Sequence, residues 1–251
     1  MPDAKMLQEI SNWPQLKITY RTDPEKIAAL LPPGIDPNSE PHVHLSIYNV
    51  PILGEPEYGI VTKIKADYRG TPGWYTIGYA IDQEAAVFIS QELNGQPKYP
   101  AEIHYYRIGD AIEARGIHQG YTFVEFKGEV KEDLPNDEPY EMNEWWIKSV
   151  RAVNGAEKAY DFPPHVVHVK GVSGTTSKQR VEGELTLRDS PWDPFTELLP
   201  QRELVEATLE CPKHVSRDIT LAGKLDPEAF WPHADVISGS RWPGHRGGPR
   251  R

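Results

Sequence analysis

Apolar and polar residues alternate with a period of two over several short stretches, which turns one face of each toward a core. Leu16-Lys17-Ile18-Thr19-Tyr20 is the first. A helix follows it. Thr22 or Asp23 caps this helix, Pro24 suits its first turn, Ile27, Ala28, Leu30 and Leu31 form an apolar stripe, and Pro32-Pro33-Gly34 stops it. Ahead of these, the pattern supports only a short opening helix around Lys5 to Ile10. Strands are predicted at Val43 to Val50, Tyr58 to Tyr68, Trp74 to Ile81 and Ala85 to Leu93, separated by Gly and Pro turns as in a meander. Tyr121 to Lys127 alternates strongly, and the run from Trp145 to Val153 fits both periods and is read as a strand. Val166 to Val172 and Arg180 to Leu187 flank Gly174-Thr175-Thr176-Ser177 and read as a hairpin, with Leu204 to Leu209 and Ile219 to Leu221 as last elements. From Ser238 onward Gly, Pro and Arg dominate, which leaves too little to bury unless the tail docks on a neighbour. The expectation is one domain over residues 1–237 and a flexible or partner-docked tail over 238–251.

The 24 prolines and 20 glycines are scattered rather than periodic, which suits many short strands joined by turns and makes the fold class mostly β. Acidic residues number 37 against 27 basic ones, and the net charge of -10 repels a nucleic-acid backbone. The single cysteine, Cys211, has no disulfide partner in the chain and reads as a small core hydrophobe in a reducing compartment. No apolar stretch approaches the roughly 18 residues of a membrane span, and no apolar leader follows Met1, so a cytoplasmic protein with no membrane contact is expected.

Common chemical motifs fail on spacing. Gly171 to Lys178 has the composition of a phosphate loop, but no Lys-Ser/Thr pair follows the second glycine, and Thr175 occupies the final glycine of a nucleophile elbow. His42 and His44 would share one face of a strand without a clear third metal ligand, and His165 and His168 lack the spacing of a metalloprotease helix. The acidic run Glu132 to Pro139 has no calcium-loop spacing and reads as a solvated loop.

Glu92-Leu93-Asn94-Gly95-Gln96-Pro97-Lys98-Tyr99-Pro100 reads as a strand end entering a proline-bracketed turn that holds one lysine in a fixed direction. The segment resembles the active-site stretch of acetoacetate decarboxylases, in which a Glu-Leu pair leads to a Pro-Lys whose lysine condenses with a ketone. Tyr20-Arg21-Thr22-Asp23 with Leu31-Pro32-Pro33-Gly34 resembles the N-terminal unit of that family, and Leu199-Pro200 with Glu203-Leu204-Val205 its C-terminal one, so the resemblance covers Leu16 to Leu221. It implies an antiparallel β-barrel or cone with few short helices, a homo-oligomer, and an imine-forming Lys98. Glu57, in Glu57-Tyr58-Gly59, matches the active-site glutamate of the family. Its position reads equally as an exposed loop carboxylate beside Glu55.

Two departures set the chain apart from the decarboxylase pattern. Those enzymes carry a second lysine directly after the nucleophile, where this chain has Tyr99, and Trp13 stands at the position of their substrate-side arginine. Acetoacetate decarboxylase is the standard example of a lysine activated by desolvation or a neighbouring cation; without the adjacent cation, desolvation would carry the activation here. The departures favour related chemistry on the same imine: aldol condensation of pyruvate with an aldehyde and dehydration, or hydration of unsaturated 2-oxo acids, with no metal or organic cofactor. Tyr99, Gln96, Tyr58 and Tyr79 are candidates around the substrate, each reading equally as packing or turn hydrogen bonding, and either Arg115 or Arg107 would meet a substrate carboxylate. Decarboxylation of a β-keto acid, a non-catalytic small-molecule binding module and an oligomeric structural protein are the alternatives.

Overall fold

The computed structural model describes residues 14–52, 54–234 and 242. The expected helix at Lys5 to Ile10, Trp13 and the tail from Ser238, Trp242 apart, lie outside them. The strands are β1 (Gln15–Arg21), β2 (Asp36–Pro37), β3 (His42–Ile52), β4 (Glu55–Tyr68), β5 (Thr71–Ile81), β6 (Lys98–Pro100), β7 (Glu102–Ile108), β8 (Ala111–His118), β9 (Tyr121–Leu134), β10 (Tyr140–Arg151), β11 (Tyr160–Leu187) and β12 (Glu203–Lys224). The α-helices are α1 (Pro24–Leu30), α2 (Glu84–Asn94), α3 (Phe195–Leu198) and α4 (Pro227–Phe230).

Strands β10, β5, β4, β3, β1, β12 and β11 are hydrogen-bonded in that order, and β10 also pairs with β11, which closes them into a ring-like cone. Strand β11 is long enough to do two jobs: Tyr160 to Ser173 pairs with β10, and Lys178 to Leu187 passes outward to β9. Strands β9, β8 and β7 then fold back over β3, β4 and β5. The period-two alternation of the ring strands therefore separates two environments. Leu16, Ile18, Leu45, Ile47, Ile60 and Ile64 face outward and share one apolar core with Phe123, Phe126 and Ile112 of the overlying layer. Lys17, Thr19, His44 and Glu210 face inward, where Lys17 Nζ donates to Glu210 at 2.6 Å and Thr19 meets His44 Nδ1 at 3.1 Å.

Several expectations need correction. Ala85 to Leu93 is helix, not strand: Ala86 and Val87 are buried while Phe88, Ile89 and Leu93 are exposed, and Gly95 ends the helix at φ 67. That apolar run runs into Ser-Gln-Glu-Leu-Asn, good to moderate helix formers, before a left-handed glycine cap. The predicted hairpin at Gly174 to Ser177 is continuous strand inside β11, with a register irregularity between Thr175 and Ser177. Gly174 is needed there because a Cβ would collide with the carbonyl of Asp137, not because the chain turns. The last two predicted strands are one 22-residue strand, β12. Strands β7 and β8 had no counterpart in the reading, although Ile103, Tyr105, Ile112 and Ala114 alternate into the core. Glu132 and Asp133 belong to β9 rather than a loop, and Arg180 Nε donates to Glu132 at 2.7 Å. Asp23 flanks α1, but its carboxylate accepts from Arg202 at 2.8 and 2.6 Å instead of capping the helix. Cys211 is half-buried on β12, outside the apolar core. His44 is held by Thr19 and lies 5.4 Å from Trp74. Among the described residues no helix is long and apolar enough to cross a membrane.

Candidate active site

Cross-strand register decides which side chains meet inside the ring. Tyr48 lies opposite Gly59, Val61 opposite Tyr79, and Tyr79 beside Lys98 in the parallel pairing of β5 with β6. Glu57, two residues before Gly59, shares their face. The helix-ending Gly95 lets the chain turn against β10, because a Cβ there would sit 2.5 Å from the Ile147 carbonyl oxygen. Three bonds then hold the Lys98 backbone. Its N–H donates to Gln96 at 2.7 Å, the Gln91 amide donates to its carbonyl, and the preceding Pro97 carbonyl accepts from Tyr79 N–H at 2.9 Å.

Lys98 Nζ donates to Glu57 Oε2 at 2.7 Å, and Tyr48 OH donates to Glu57 Oε1 at 2.8 Å. Lys98 is 4 % exposed and Glu57 1 %, so the reading of Glu57 as a solvated loop carboxylate does not hold. Gly59 makes room for this contact: a Cβ on it would overlap the Tyr48 ring. Burial and then the charge of Glu57 raise the Tyr48 phenol well above its ordinary pKa, so it stays protonated and holds Glu57 by its hydrogen bond.

Beside this pair stands a second buried carboxylate. Glu144 accepts from Thr76 Oγ1, Tyr79 OH and Trp146 Nε1, and its other oxygen from Lys63 Nζ, each at 2.5 Å. The register shift between Thr62 and Lys63 leaves Ile77 as an extra residue, which turns Thr76 and Tyr79, three apart, to one face. Burial alone would raise the Glu144 carboxyl. Lys63 and the hydrogen bonds from Lys63, Thr76 and Tyr79 outweigh it and hold the pKa at about 2. Burial and then the negative charge of Glu144 push Tyr79 well above the usual phenol range, and Gln96 is hydrogen-bonded to it. A buried apolar wall of Val61, Ile81, Val87, Val167, Val169 and Trp146 surrounds the tyrosines.

Of the residues expected around the substrate, Glu57, Gln96 and Tyr79 gather with Lys98, and Tyr99, Tyr58, Arg115 and Arg107 do not. Tyr99, paired with Ala80, turns into the outer core and lies edge-on to His118 at 4.9 Å. Tyr58 packs against that same core between Glu57 and Gly59. Arg115 is exposed on β8, in a surface groove with His104, Tyr106 and Glu125; its neighbour Ala114 is the residue that faces the core. Arg107, the other candidate, is exposed on β7. The alternation also removes the weight given to a missing second lysine, since a residue at position 99 points away from Lys98. Sequence reasoning missed Tyr48, Glu144, Trp146 and Arg217. A carboxylate directly before two tryptophans was a signal for Glu144, and closing the β3–β4 hairpin at Pro51 and Pro56 would have set Tyr48 against Gly59. Nothing local marked Arg217. Its guanidinium lies 5.6 Å from the Trp146 ring, and its charge acts on both Tyr48 and Tyr79.

An acetoacetate decarboxylase from Paraburkholderia phytofirmans is 24% identical over 214 residues, covering 82% of this chain and 80% of its own. A solved acetoacetate decarboxylase superposes with a TM-score of 0.74 at 16% identity, over 84% of this chain and 87% of that one. MppR, an enduracididine biosynthesis enzyme solved with pyruvate, gives 0.65 at 16% identity over 87% and 89%. The family model for acetoacetate decarboxylase (ADC) matches residues 1–222, and the chain belongs to that family.

Proposed function

We propose that this protein is a lyase that forms an imine between Lys98 and a small 2-oxo acid such as pyruvate. It uses that imine to condense the acid with an aldehyde and dehydrate the product, or to hydrate an unsaturated 2-oxo acid. The observation that carries the reading is the buried pair of Lys98 and Glu57 at 2.7 Å, braced by Tyr48. An amine attacks a carbonyl only through its lone pair, and Glu57 Oε2 is a destination for the Nζ proton. The neutral amine adds to the 2-oxo carbon, and Glu57 returns the proton to the departing hydroxyl as water leaves. The iminium then acidifies the neighbouring carbon. Its proton passes to Glu57, the enamine carbon bonds to the aldehyde carbon, and the aldehyde oxygen, once protonated, leaves as a second water when another proton is lost from the same carbon. Hydrolysis of the iminium consumes one water and releases the unsaturated 2-oxo acid, so the net reaction is acid plus aldehyde to product plus one water.

Dehydration needs proton handling at the departing oxygen as well as at carbon. The inner face has a hydroxyl group for each: Tyr48 at Glu57 and Tyr79 at Glu144. That duplication favours condensation over decarboxylation, which must return a single proton to carbon. Pyruvate bound by MppR supports the substrate class by analogy. Decarboxylation of acetoacetate or another β-keto acid is the second reading, favoured by the apolar wall of Val61, Ile81 and Val169, where a carboxylate is poorly solvated.

The test is borohydride trapping with pyruvate, intact-protein mass and peptide mapping, with Lys98→Ala as control. The expected result is one pyruvyl adduct on Lys98, absent from the variant, and growth of conjugated-enone absorbance when an aldehyde is added, unaffected by chelator. Labelling that persists in Lys98→Ala removes Lys98 from the chemistry. Trapping without condensation or hydration across an aldehyde panel defeats the lyase assignment, and rapid carbon dioxide release from acetoacetate selects the second reading. Silence on trapping points to a binding module.

A further inference from the structure

We infer that Arg217 is the carboxylate-binding residue of this site, and that the site selects 2-oxo acids over neutral ketones through it. The inference rests on the proposed imine chemistry for its substrate class, but its physical basis is separate. Strand β12 pairs with β11 so that Arg217 lies opposite Gly171, Ile219 opposite Val169 and Leu221 opposite Val167. Val167 and Val169 belong to the inner cluster with Tyr48, Tyr79 and Trp146. Directly paired residues share a face, so Arg217, although exposed to solvent like Arg115, lies on the inner face of the ring, where Arg115 does not. Gly171 opposite it has no side chain to compete for the space.

The charges support the assignment. Lys98 is paired with Glu57 and Lys63 with Glu144. Among the described residues no carboxylate pairs with Arg217, although the chain carries 37 acidic residues. Its guanidinium is instead stacked over Trp146 at 5.6 Å, which orients the planar fork without consuming its hydrogen bonds. Its positive charge acts on Tyr48, which is bonded to Glu57, and on Tyr79, the register neighbour of Lys98. A 2-oxo acid bound through its carbonyl to Lys98 extends its carboxylate one carbon further, and a bidentate guanidinium matches that group. Ile219 and Leu221, 37 % and 57 % exposed, continue the inner face from Val169 and Val167 and give the aldehyde substituent an apolar surface.

The test measures binding without the imine. In Lys98→Ala, pyruvate binding is titrated by calorimetry or NMR and compared with Lys98→Ala/Arg217→Gln; methyl pyruvate, which lacks the charge, is the neutral probe. The expected result is a loss of about 10- to 100-fold in pyruvate affinity on removing the guanidinium, with methyl pyruvate unchanged. Arg217→Lys, which keeps charge but not the stacked fork, is expected to lose an intermediate amount. Equal affinities with and without Arg217, no pyruvate binding by either protein, or equal losses for pyruvate and its ester overturn the inference. Failure of borohydride trapping in the otherwise wild-type chain bears only on the imine.

Discussion

Lys98 and Tyr99 are consecutive in the chain and stand in different worlds. Lys98 faces the inside of the ring, where two buried carboxylates collect hydrogen bonds beside a small apolar wall: Glu57 from Lys98 and Tyr48, and Glu144 from Lys63, Thr76, Tyr79 and Trp146. Tyr99 faces the outer core, where Ile18, Leu45, Phe123 and Phe126 pack and the polar neighbour is His118, itself hydrogen-bonded to Asp193 at 2.7 Å. The outer face holds the two layers together by removing apolar area from water. The inner face gains little from burying ionic groups, because desolvation offsets much of their attraction, yet breaking one partner leaves the other stranded. One sheet thus divides its labour between stability and chemistry by residue parity.

Glu57→Gln attacks the chemical side and carries the largest expected effect. Turnover in enone formation should fall about 10²–10⁴-fold, while the yield of trapped imine at long times falls much less, since general base action is lost but the amine remains. Parallel losses in turnover and trapping would make Glu57 a structural partner only. Phe126→Ala attacks the other face. A cost of about 3–5 kcal/mol in urea unfolding is expected from the lost contacts and the cavity, with trapping per folded molecule unchanged.

Acid should separate the faces next. His44, on the inner face, is held at about 3 by burial and by Lys17 and Lys63, so below its ordinary value of 6.5 the unfolded chain takes up a proton that the folded chain refuses. Stability therefore declines as pH falls from 6.5, and His233, in the turn after α4 and lowered to about 4 by burial, adds to the decline from outside the ring. Glu144 adds to the decline: its stabilisation is complete above 4.5 and lost as pH falls toward about 2, roughly 3 kcal/mol over that window. Urea midpoints at pH 7, 5.5 and 4 should drop progressively, and His44→Gln should flatten the upper part of the slope. A flat wild-type profile would show that the inner face is solvated in solution. The smallest expected effect is Tyr99→Phe, which should cost about 1 kcal/mol at most and leave the trapping rate within twofold. A tenfold loss would mean that Tyr99 reaches the substrate after all.

Much of the ring was legible from alternation: β1, β3, β4, β5 and the middle of β10 lie where the period-two stretches are, and α1 lies between its signals. The errors share a cause. Ala85 to Leu93 is a run whose periodicity fits helix and strand, so the decision falls to Gly95 and to packing on β10. Gly174 looked like a turn residue because a glycine demanded by close approach and one demanded by a turn are the same letter. Lys98 and Glu57 were reached through resemblance, since 41 residues separate them and no local pattern joins them.

The sequence by itself determined the class of the fold and the position of most strands, because those depend on neighbours a few residues away, whereas Lys98, expected in a turn, opens strand β6 behind a helix. Only the tertiary structure decided which of Tyr58, Tyr79 and Tyr99 would see that lysine. A side chain's face depends on parity counted through every register shift between strands, and the extra residue at Ile77 alone reverses it for Thr76. The closure of β10 onto β11 is likewise non-local, and it carries Glu144, Trp146 and, through β12, Arg217 to a site whose chemistry their own segments do not announce.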